Sequence, residues 1–334
     1  MNNTKSTKLV FFGSDKNSAK LLDELIKVNY NIKLIITKTS KKTGRQQKQN
    51  PVQKTALKYN LKLLTQDKLD FSALKIIKNI NPDLGILIAY GSLIPQKIIN
   101  AFPLGILNIH PSLLPKYRGP SPIQATLLNG DEKTGTSLML LSEKMDAGPI
   151  ITQAKIKIEA EDNQETLSQK LFSLGNKLLL NNLEKYIRGK ISPQVQDEKQ
   201  VSFSKIIKKE DGLIDWQNSA EDINNKIRAF YNWPGAYTYF NNKLLKIIKA
   251  GVTEGLDRSG EKKENNNHKT GEVFLDLPSH LEKGDKGDDK IIIQTGQGLL
   301  YPLIVQLEGK QKMEINPFIN GYKNFIGSIL NHKS

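Results

Sequence analysis

Residues 105–119 read Gly-Ile-Leu-Asn-Ile-His-Pro-Ser-Leu-Leu-Pro-Lys-Tyr-Arg-Gly, an apolar run that passes directly into a proline-rich one. The first part has the character of a short strand, and alternation along a strand places Asn108 and His110 on one face and Ile109 on the other. The prolines at positions 111, 115, 120 and 122 exclude regular structure beyond that strand. Ligands of open α/β sheets bind beyond the carboxyl ends of strands, so this loop is a candidate binding site.

Strand and helix patterns alternate on both sides of this stretch. Such alternation predicts an α/β domain with a parallel sheet and right-handed crossovers, which we place at residues 1–189. The predicted strands are 8–13, 31–37, 83–90, 105–109, 136–141 and 150–158, and the predicted helices are 17–28, 51–58, 71–80, 123–129 and 167–187.

The rest of the chain has a different pattern. After a polar linker at 190–205, a helix is predicted at 219–230 and short strands at 237–240, 244–250, 272–275, 290–295 and 299–304, with a helix at the end of the chain. Short antiparallel strands and a terminal helix indicate a small β-barrel of the oligonucleotide-binding kind at residues 206–334. Residues 254–290 are poor in apolar side chains, and we interpret the middle of this segment as a mobile surface insert.

The composition excludes several kinds of chemistry. The 334 residues include no cysteine, which excludes thiol nucleophiles, disulfides and thiolate zinc sites. No dinucleotide fingerprint, phosphate-binding P-loop or serine-hydrolase elbow occurs. The apolar run at 9–12 is too short for a signal peptide, and no later run is long enough to span a membrane. We therefore expect a cytoplasmic protein with no membrane partner.

Positive charge is concentrated in the first domain. Residues 1–200 carry 30 Lys and Arg against 17 Asp and Glu, whereas residues 201–334 carry 19 against 17. A basic surface attracts nucleic acid, although a bias of the whole sequence toward lysine would give the same excess. The segment 38–48 has five positive charges and no negative one, including Lys42, Arg45 and Lys48. It follows a parallel strand, so it lies at the same sheet edge as His110, either as a binding loop or as ordinary solvated surface.

His110 is the candidate imidazole for catalysis, because the other three histidines lie in the polar insert or the C-terminal tail. A buried histidine that only hydrogen-bonds a carbonyl is the alternative. Two features favour chemistry: Asn108 shares its face, and Asp146 follows 36 residues later in the turn Met-Asp-Ala-Gly.

The pattern Asn-x-His-x-Ser-Leu-Leu-Pro-x-x-x-Gly with this later aspartate resembles the folate-dependent formyltransferases. The resemblance extends from Phe-Phe-Gly at 11–13 through Arg-Ala-Phe-Tyr-Asn-Trp-Pro at 228–234 to the terminal helix. It is greatest to the members of the family that formylate the methionine amino group on initiator Met-tRNA for translation initiation. One departure is Ser-Asp-Lys-Asn at 14–17, where the family more often has Thr-Pro, an acidic residue and Phe.

The resemblance implies a Rossmann-like formyltransferase domain followed by a tRNA-binding barrel, acting as a monomer without a metal. The formyl donor would be 10-formyltetrahydrofolate, and the partner would be initiator Met-tRNA. It assigns catalysis to Asn108, His110 and Asp146. It assigns folate binding to Ser112, Leu113, Leu114 and Pro115, and tRNA binding to Arg45 with Lys42 and Lys48 beside it.

These residue types suit acyl transfer. An amine attacks the formyl carbon, giving a tetrahedral oxyanion that amide and imidazole N–H groups can stabilise, while a carboxylate orients the imidazole or accepts a proton. Two other functions remain open from sequence: formyl transfer to a small amine such as glycinamide ribonucleotide or an amino sugar nucleotide, and RNA binding without catalysis. The second domain and the basic loop argue against the first, and the intact Asn108, His110 and Asp146 against the second.

Overall fold

The chain divides into two units in a computed structural model that describes residues 6–39, 42–43, 46–253, 268–276 and 290–331. Unit 1 comprises Met1–Pro122, Lys133–Ile158 and Ser168–Ser204. Unit 2 comprises Ile123–Glu132, Glu159–Leu167 and Lys205–Ser334.

Unit 1 is built on a seven-stranded sheet. The strands up to residue 158 are Leu9–Phe12 (β1), Ile32–Thr37 (β2), Lys42–Thr43 (β3), Gln46–Gln47 (β4), Leu63–Thr65 (β5), Leu84–Leu87 (β6), Ile106–His110 (β7), Lys133–Leu140 (β8) and Ile150–Lys157 (β9). Their order in the sheet is β5-β2-β1-β6-β7-β8-β9, and β3 pairs only with β4. The first five strands of that order run parallel, whereas β8 is antiparallel to β7 and to β9. The expected α/β fold with a parallel-sheet core is confirmed.

The helices before residue 190 are Lys16–Lys27 (α1), Pro51–Lys58 (α2), Phe71–Ile80 (α3), Gln96–Ile99 (α4), Pro122–Leu128 (α5) and Gln164–Ile187 (α6). Local sequence explains where several of them begin. Asp15 caps α1 by accepting the Ser18 N–H, and Asn50 caps α2, whose first residue is Pro51. Asp70 caps α3 in the same way. Each cap satisfies backbone donors that have no partner inside the helix.

The parallel strands bring their carboxyl ends to one edge of the sheet. Strand β1 pairs with β2 and with β6, and β6 pairs with β7. Thr37 is the last residue of β2 and His110 the last of β7, so both lie at this edge. The chain after β2 is held there by Asn50, whose amide donates to Thr37 Oγ1 at 3.0 Å and to the Lys38 carbonyl at 2.9 Å. The loops that follow β2 and β7 therefore leave from the ligand-binding edge of the sheet.

Unit 2 contains a curled antiparallel sheet. Its elements after residue 205 are Ala220–Ala229 (α7), Ala236–Phe240 (β10), Lys243–Thr253 (β11), Val273–Asp276 (β12), Lys290–Gln294 (β13), Leu299–Leu307 (β14), Met313–Glu314 (β15) and Ile315–Gly321 (α8). The strand order is β10-β11-β14-β13-β12, with β15 on β14. The segment 327–331 bonds to both ends of this order: the Tyr239 N–H donates to Asn331, and the Val273 N–H donates to Ser328. This closes the curled sheet in the manner of a small barrel.

The sequence prediction missed short elements. β5 has three half-buried residues and α4 is a single turn, so neither has a periodic pattern that could be detected. The basic segment, predicted as a loop, contains the two-residue strands β3 and β4. Within the predicted insert, residues 268–276 and 290 are described and contribute β12 and the start of β13. The remainder, 254–267 and 277–289, lies outside the described residues.

Candidate active site

Asn108 and His110 lie at the end of β7, a central strand that is buried along its whole length. Ile109 points toward α6, where a Cβ atom on Gly175 would lie only 2.4 Å from Ile109 Cγ2. Alternation along the strand therefore directs Asn108 and His110 to the opposite face. They are 6% and 5% exposed. Glycine at position 175 allows the helix to approach the strand closely enough to fix the strand's orientation.

The hydrogen bond of His110 sets its tautomer. Nε2 lies 3.0 Å from the carbonyl oxygen of Tyr117. A carbonyl oxygen can only accept, so Nε2 carries a proton and donates it. Nδ1 is then the ring nitrogen that is available to exchange a proton, and it faces Asp146 Oδ1 at 3.7 Å.

The Asn108 amide has no side-chain hydrogen bond within the described ranges of the chain. The described residues have some buried side-chain polar atoms without a hydrogen-bond partner, namely Gln66 Oε1, Thr126 Oγ1, Asn176 Oδ1 and Gln294 Oε1. No atom of Asn108 is among these enclosed atoms. A buried amide normally has a partner. The Asn108 N–H donors are therefore open to an atom that enters the site from outside.

Asp146 is held in an unusual backbone conformation. Its φ is +50°, in the left-handed region that aspartate tolerates better than most residues. Its carboxylate Oδ2 accepts the Gly119 N–H at 2.8 Å, which leaves Oδ1 facing the imidazole. The side chain is 15% exposed. The turn thus brings a carboxylate next to the histidine.

The segment from Ser112 to Pro115 is fixed by the two antiparallel strands. The Leu114 N–H donates to Ser137 Oγ at 3.0 Å, and its carbonyl accepts from Gln153 Nε2 at 2.8 Å. Ser137 Oγ also donates to the Ser112 carbonyl at 2.6 Å. Ser112 and Leu114 are buried, and Leu113 and Pro115 are half-buried. Several hydrogen bonds therefore hold this loop, and Leu113 and Pro115 are its partly exposed side chains.

A strap formed by residues 194–204 crosses this loop, and sequence reasoning treated this part of the chain as a linker. The strap pairs with Arg118: the Arg118 N–H donates to the Ser202 carbonyl at 2.9 Å, and the Ser204 N–H donates to the Arg118 carbonyl at 2.7 Å. The Arg118 side chain is buried and donates to Gln196 and Glu198. Its hydrogen bond lowers the pKa of the Glu198 carboxyl. An arginine in a lysine-rich chain was the only sequence signal for this cluster.

The structure describes two of the three predicted tRNA-binding residues. Arg45 lies outside the described residues. Lys42 belongs to β3, and Lys48 is exposed just before α2. The ends of the segment are fixed, since the Thr39 N–H donates to Asp67 Oδ1 at 3.0 Å and Asn50 holds Lys38.

The described residues contain no group of three or more His, Asp or Glu side chains that could hold a metal ion. Among these residues there is likewise no helix with the length and apolar character needed to cross a membrane.

Two family models match the chain. Residues 7–183 match the formyl transferase model, and residues 206–323 match the model of the formyl transferase C-terminal domain. The chain belongs to the formyl transferase family. Its relatives include the methionyl-tRNA formyltransferase of Thermodesulfovibrio yellowstonii, 37% identical over 95% of this chain and 97% of the relative. That of Streptococcus suis is also 37% identical, over 94% and 95%.

Solved structures of other proteins share the fold. An N-formyltransferase from Helicobacter canadensis, in complex with folinic acid and dTDP-3-aminofucose, superposes with a TM-score of 0.64 at 19% identity, covering 89% of this chain and 98% of that one. HypX from Aquifex aeolicus in complex with tetrahydrofolic acid gives a TM-score of 0.62 at 18% identity, covering 95% of this chain and 48% of that one.

Proposed function

We propose that this formyl transferase moves a formyl group from 10-formyltetrahydrofolate to the free amino group of methionine on initiator Met-tRNA. The observation that carries the proposal is the identity of 37% with a methionyl-tRNA formyltransferase over 95% of this chain, which includes the C-terminal unit.

The catalytic residues fit this chemistry. 10-Formyltetrahydrofolate supplies the formyl carbon that the amine attacks, and the attacked carbonyl oxygen gains negative charge. We assign the stabilisation of that charge to the N–H donors of Asn108, and one such donor is worth about 100- to 1000-fold in rate at other acyl-transfer sites.

We assign the proton transfer to His110 and Asp146. Because Nε2 is engaged by Tyr117, Nδ1 is the nitrogen that takes up a proton from the attacking amine. The resulting imidazolium lies 3.7 Å from the Asp146 carboxylate, which stabilises the positive charge. When the tetrahedral intermediate collapses, the bond from the formyl carbon to the folate nitrogen breaks, and that nitrogen receives the proton as tetrahydrofolate leaves.

The binding roles are also proposals. We assign the folate to the loop that contains Leu113 and Pro115, whose backbone is held by Ser137 and Gln153. We assign the acceptor arm of the tRNA to the basic segment with Lys42, Arg45 and Lys48, and further tRNA contact to the C-terminal unit. The segment leaves from the sheet edge that carries His110, and this position supports the assignment.

The proposal includes a monomeric, cytoplasmic enzyme. Asn108, His110 and Asp146 all lie in unit 1 of a single chain, so no second copy is needed to complete the site. Gel filtration with light scattering would test this, and a dimer whose dissociation abolishes activity would contradict it.

The deciding experiment is formyl transfer from 10-formyltetrahydrofolate to purified initiator Met-tRNA. Uncharged tRNA tests the need for the amino group, and glycinamide ribonucleotide and an amino sugar nucleotide test the alternatives. We expect rapid transfer to Met-tRNA alone. Faster transfer to either small amine would overturn the proposal.

A further inference from the structure

Gln196 lies near the start of the strap and is 5% exposed. Its side-chain amide makes three hydrogen bonds. Oε1 accepts from Arg118 Nε at 3.0 Å, and Nε2 donates to the main-chain carbonyls of Asp146 and Gly148 at 2.8 and 2.7 Å. One neutral side chain therefore links the buried arginine to the turn that carries the catalytic carboxylate.

These bonds fix Asp146 from its backbone side. The residue has a positive φ, and its carboxylate accepts the Gly119 N–H. Gly148 has little freedom, since a Cβ atom there would lie 1.9 Å from the Leu140 carbonyl oxygen. With two carbonyls of the turn anchored by Gln196, the position of Asp146 Oδ1 relative to His110 Nδ1 is set by the strap.

The contacts form a closed circuit around the site. His110 donates to Tyr117, the next residue Arg118 donates to Gln196, and Gln196 donates to Asp146, which faces His110 again. The circuit joins three segments that are far apart in the chain. A change at Gln196 therefore reaches the catalytic pair through the protein without any contact to substrate.

The three hydrogen bonds of residue 196 explain why a glutamine is suited to this position. Position 196 must accept from a guanidinium and donate twice to carbonyls, and among side chains of this length only a primary amide does both. Glutamate keeps the acceptor but cannot donate when ionised. Asparagine keeps the chemistry but is one methylene shorter.

We infer that Gln196 is a positioning residue for formyl transfer, which holds the Asp146 turn so that the carboxylate stays aligned with the His110 imidazole. This inference rests on the proposed function. It predicts that loss of the two N–H donors slows the chemical step while substrate binding is retained.

The test compares Gln196→Glu with the matched control Gln200→Glu. Gln200 lies on the same strap and is exposed, and its side chain donates to Asp197. We expect kcat of Gln196→Glu to fall about 10- to 100-fold, in line with the loss that a displacement of about 1 Å causes in catalytic sites. The KM values for Met-tRNA and folate should change less than about twofold, and Gln200→Glu should match the wild type.

A double-mutant cycle separates positioning from a general structural role. In an Asp146→Asn background the carboxylate charge is already absent, so adding Gln196→Glu should lower kcat by less than about twofold. Full additivity would show that Gln196 acts independently of Asp146 and would refute the inference. If Gln196→Glu does not fold, Gln196→Asn serves the same cycle.

The outcomes also separate the two claims. A wild-type protein that does not formylate Met-tRNA refutes the proposed function. An active wild type with an equally active, folded Gln196→Glu variant refutes only the positioning role.

Discussion

Replacement of Asp146 by asparagine removes one charge from the site with almost no change in shape. The Gly119 N–H can still donate to the remaining side-chain oxygen, so the turn keeps the bond that it now makes at 2.8 Å. Gln196 donates to the main-chain carbonyl of residue 146, so the substitution leaves this hydrogen bond unchanged. The variant therefore tests the carboxylate charge rather than the conformation of the turn.

The magnitude follows from the distance between Asp146 Oδ1 and His110 Nδ1, which is 3.7 Å. Two unit charges at about this distance interact by about 4 kcal/mol at an effective dielectric constant of about 20. If the imidazolium forms during transfer, that energy is the most the carboxylate can contribute, and it corresponds to about 1000-fold in rate. We expect kcat of Asp146→Asn to fall between about 100- and 1000-fold.

The assay is single-turnover formylation of Met-tRNA, with folate binding and the melting temperature measured on the same preparation. Folate affinity and melting temperature should stay close to wild-type values. A folded variant that retains more than about a tenth of the wild-type rate would contradict a catalytic role for Asp146, because proton-transfer roles contribute at least about 100-fold.

Three further predictions concern other parts of the chain. Arg45→Ala should raise the KM for Met-tRNA and flatten its dependence on salt, with folate kinetics unchanged, whereas Arg45→Lys should restore part of the salt dependence; a salt titration identical to wild type for both would remove the tRNA role of the segment. Gly175→Ala should lower stability by about 1–3 kcal/mol in urea unfolding, because the new Cβ would meet Ile109 at 2.4 Å; an unchanged or more stable variant would show that helix and strand can move apart. The hydrogen bond from Lys27 lowers the Asp23 pKa to about 2. Asp23→Asn should therefore be less stable than the wild type by its full amount above about pH 4, and this difference should disappear as the pH falls through about 2. A difference in melting temperature that does not depend on pH would contradict this.

The sequence predicts most of the fold because residues within and next to each helix, rather than distant ones, determine where the helix begins and ends. Predicted helices at 51–58 and 71–80 have the same bounds as α2 and α3, where a capping residue precedes a periodic run. The direction of β8 was not predictable in the same way. Its pairing with β7 depends on contacts between distant residues, and the apolar pattern of a buried strand is the same in either direction.

The candidate site shows a similar division. Alternation along one strand was enough to place Asn108 and His110 together, since that pairing is local. The partners that orient them could not be found by pattern. Gln196 is 50 residues from Asp146 and 78 from Arg118, and nothing adjacent to it in the sequence reveals either contact.

Irregular backbone explains why the strap belongs to the site. Tyr117, Gly119 and Asp146 all have positive φ values, so neither the loop nor the turn can satisfy its polar groups by extending the sheet. The strap supplies those bonds: Ser202 Oγ accepts the Tyr117 N–H at 2.9 Å, and Gln196 donates to the carbonyl of Asp146. The sheet holds Asn108 and His110 in place. The loop at Tyr117 and the turn at Asp146 are held instead by the strap, which follows α6 in the chain. The proposed catalytic arrangement is therefore complete only when the segment up to Ser204 is folded as part of unit 1, to which the contacts of the chain assign it.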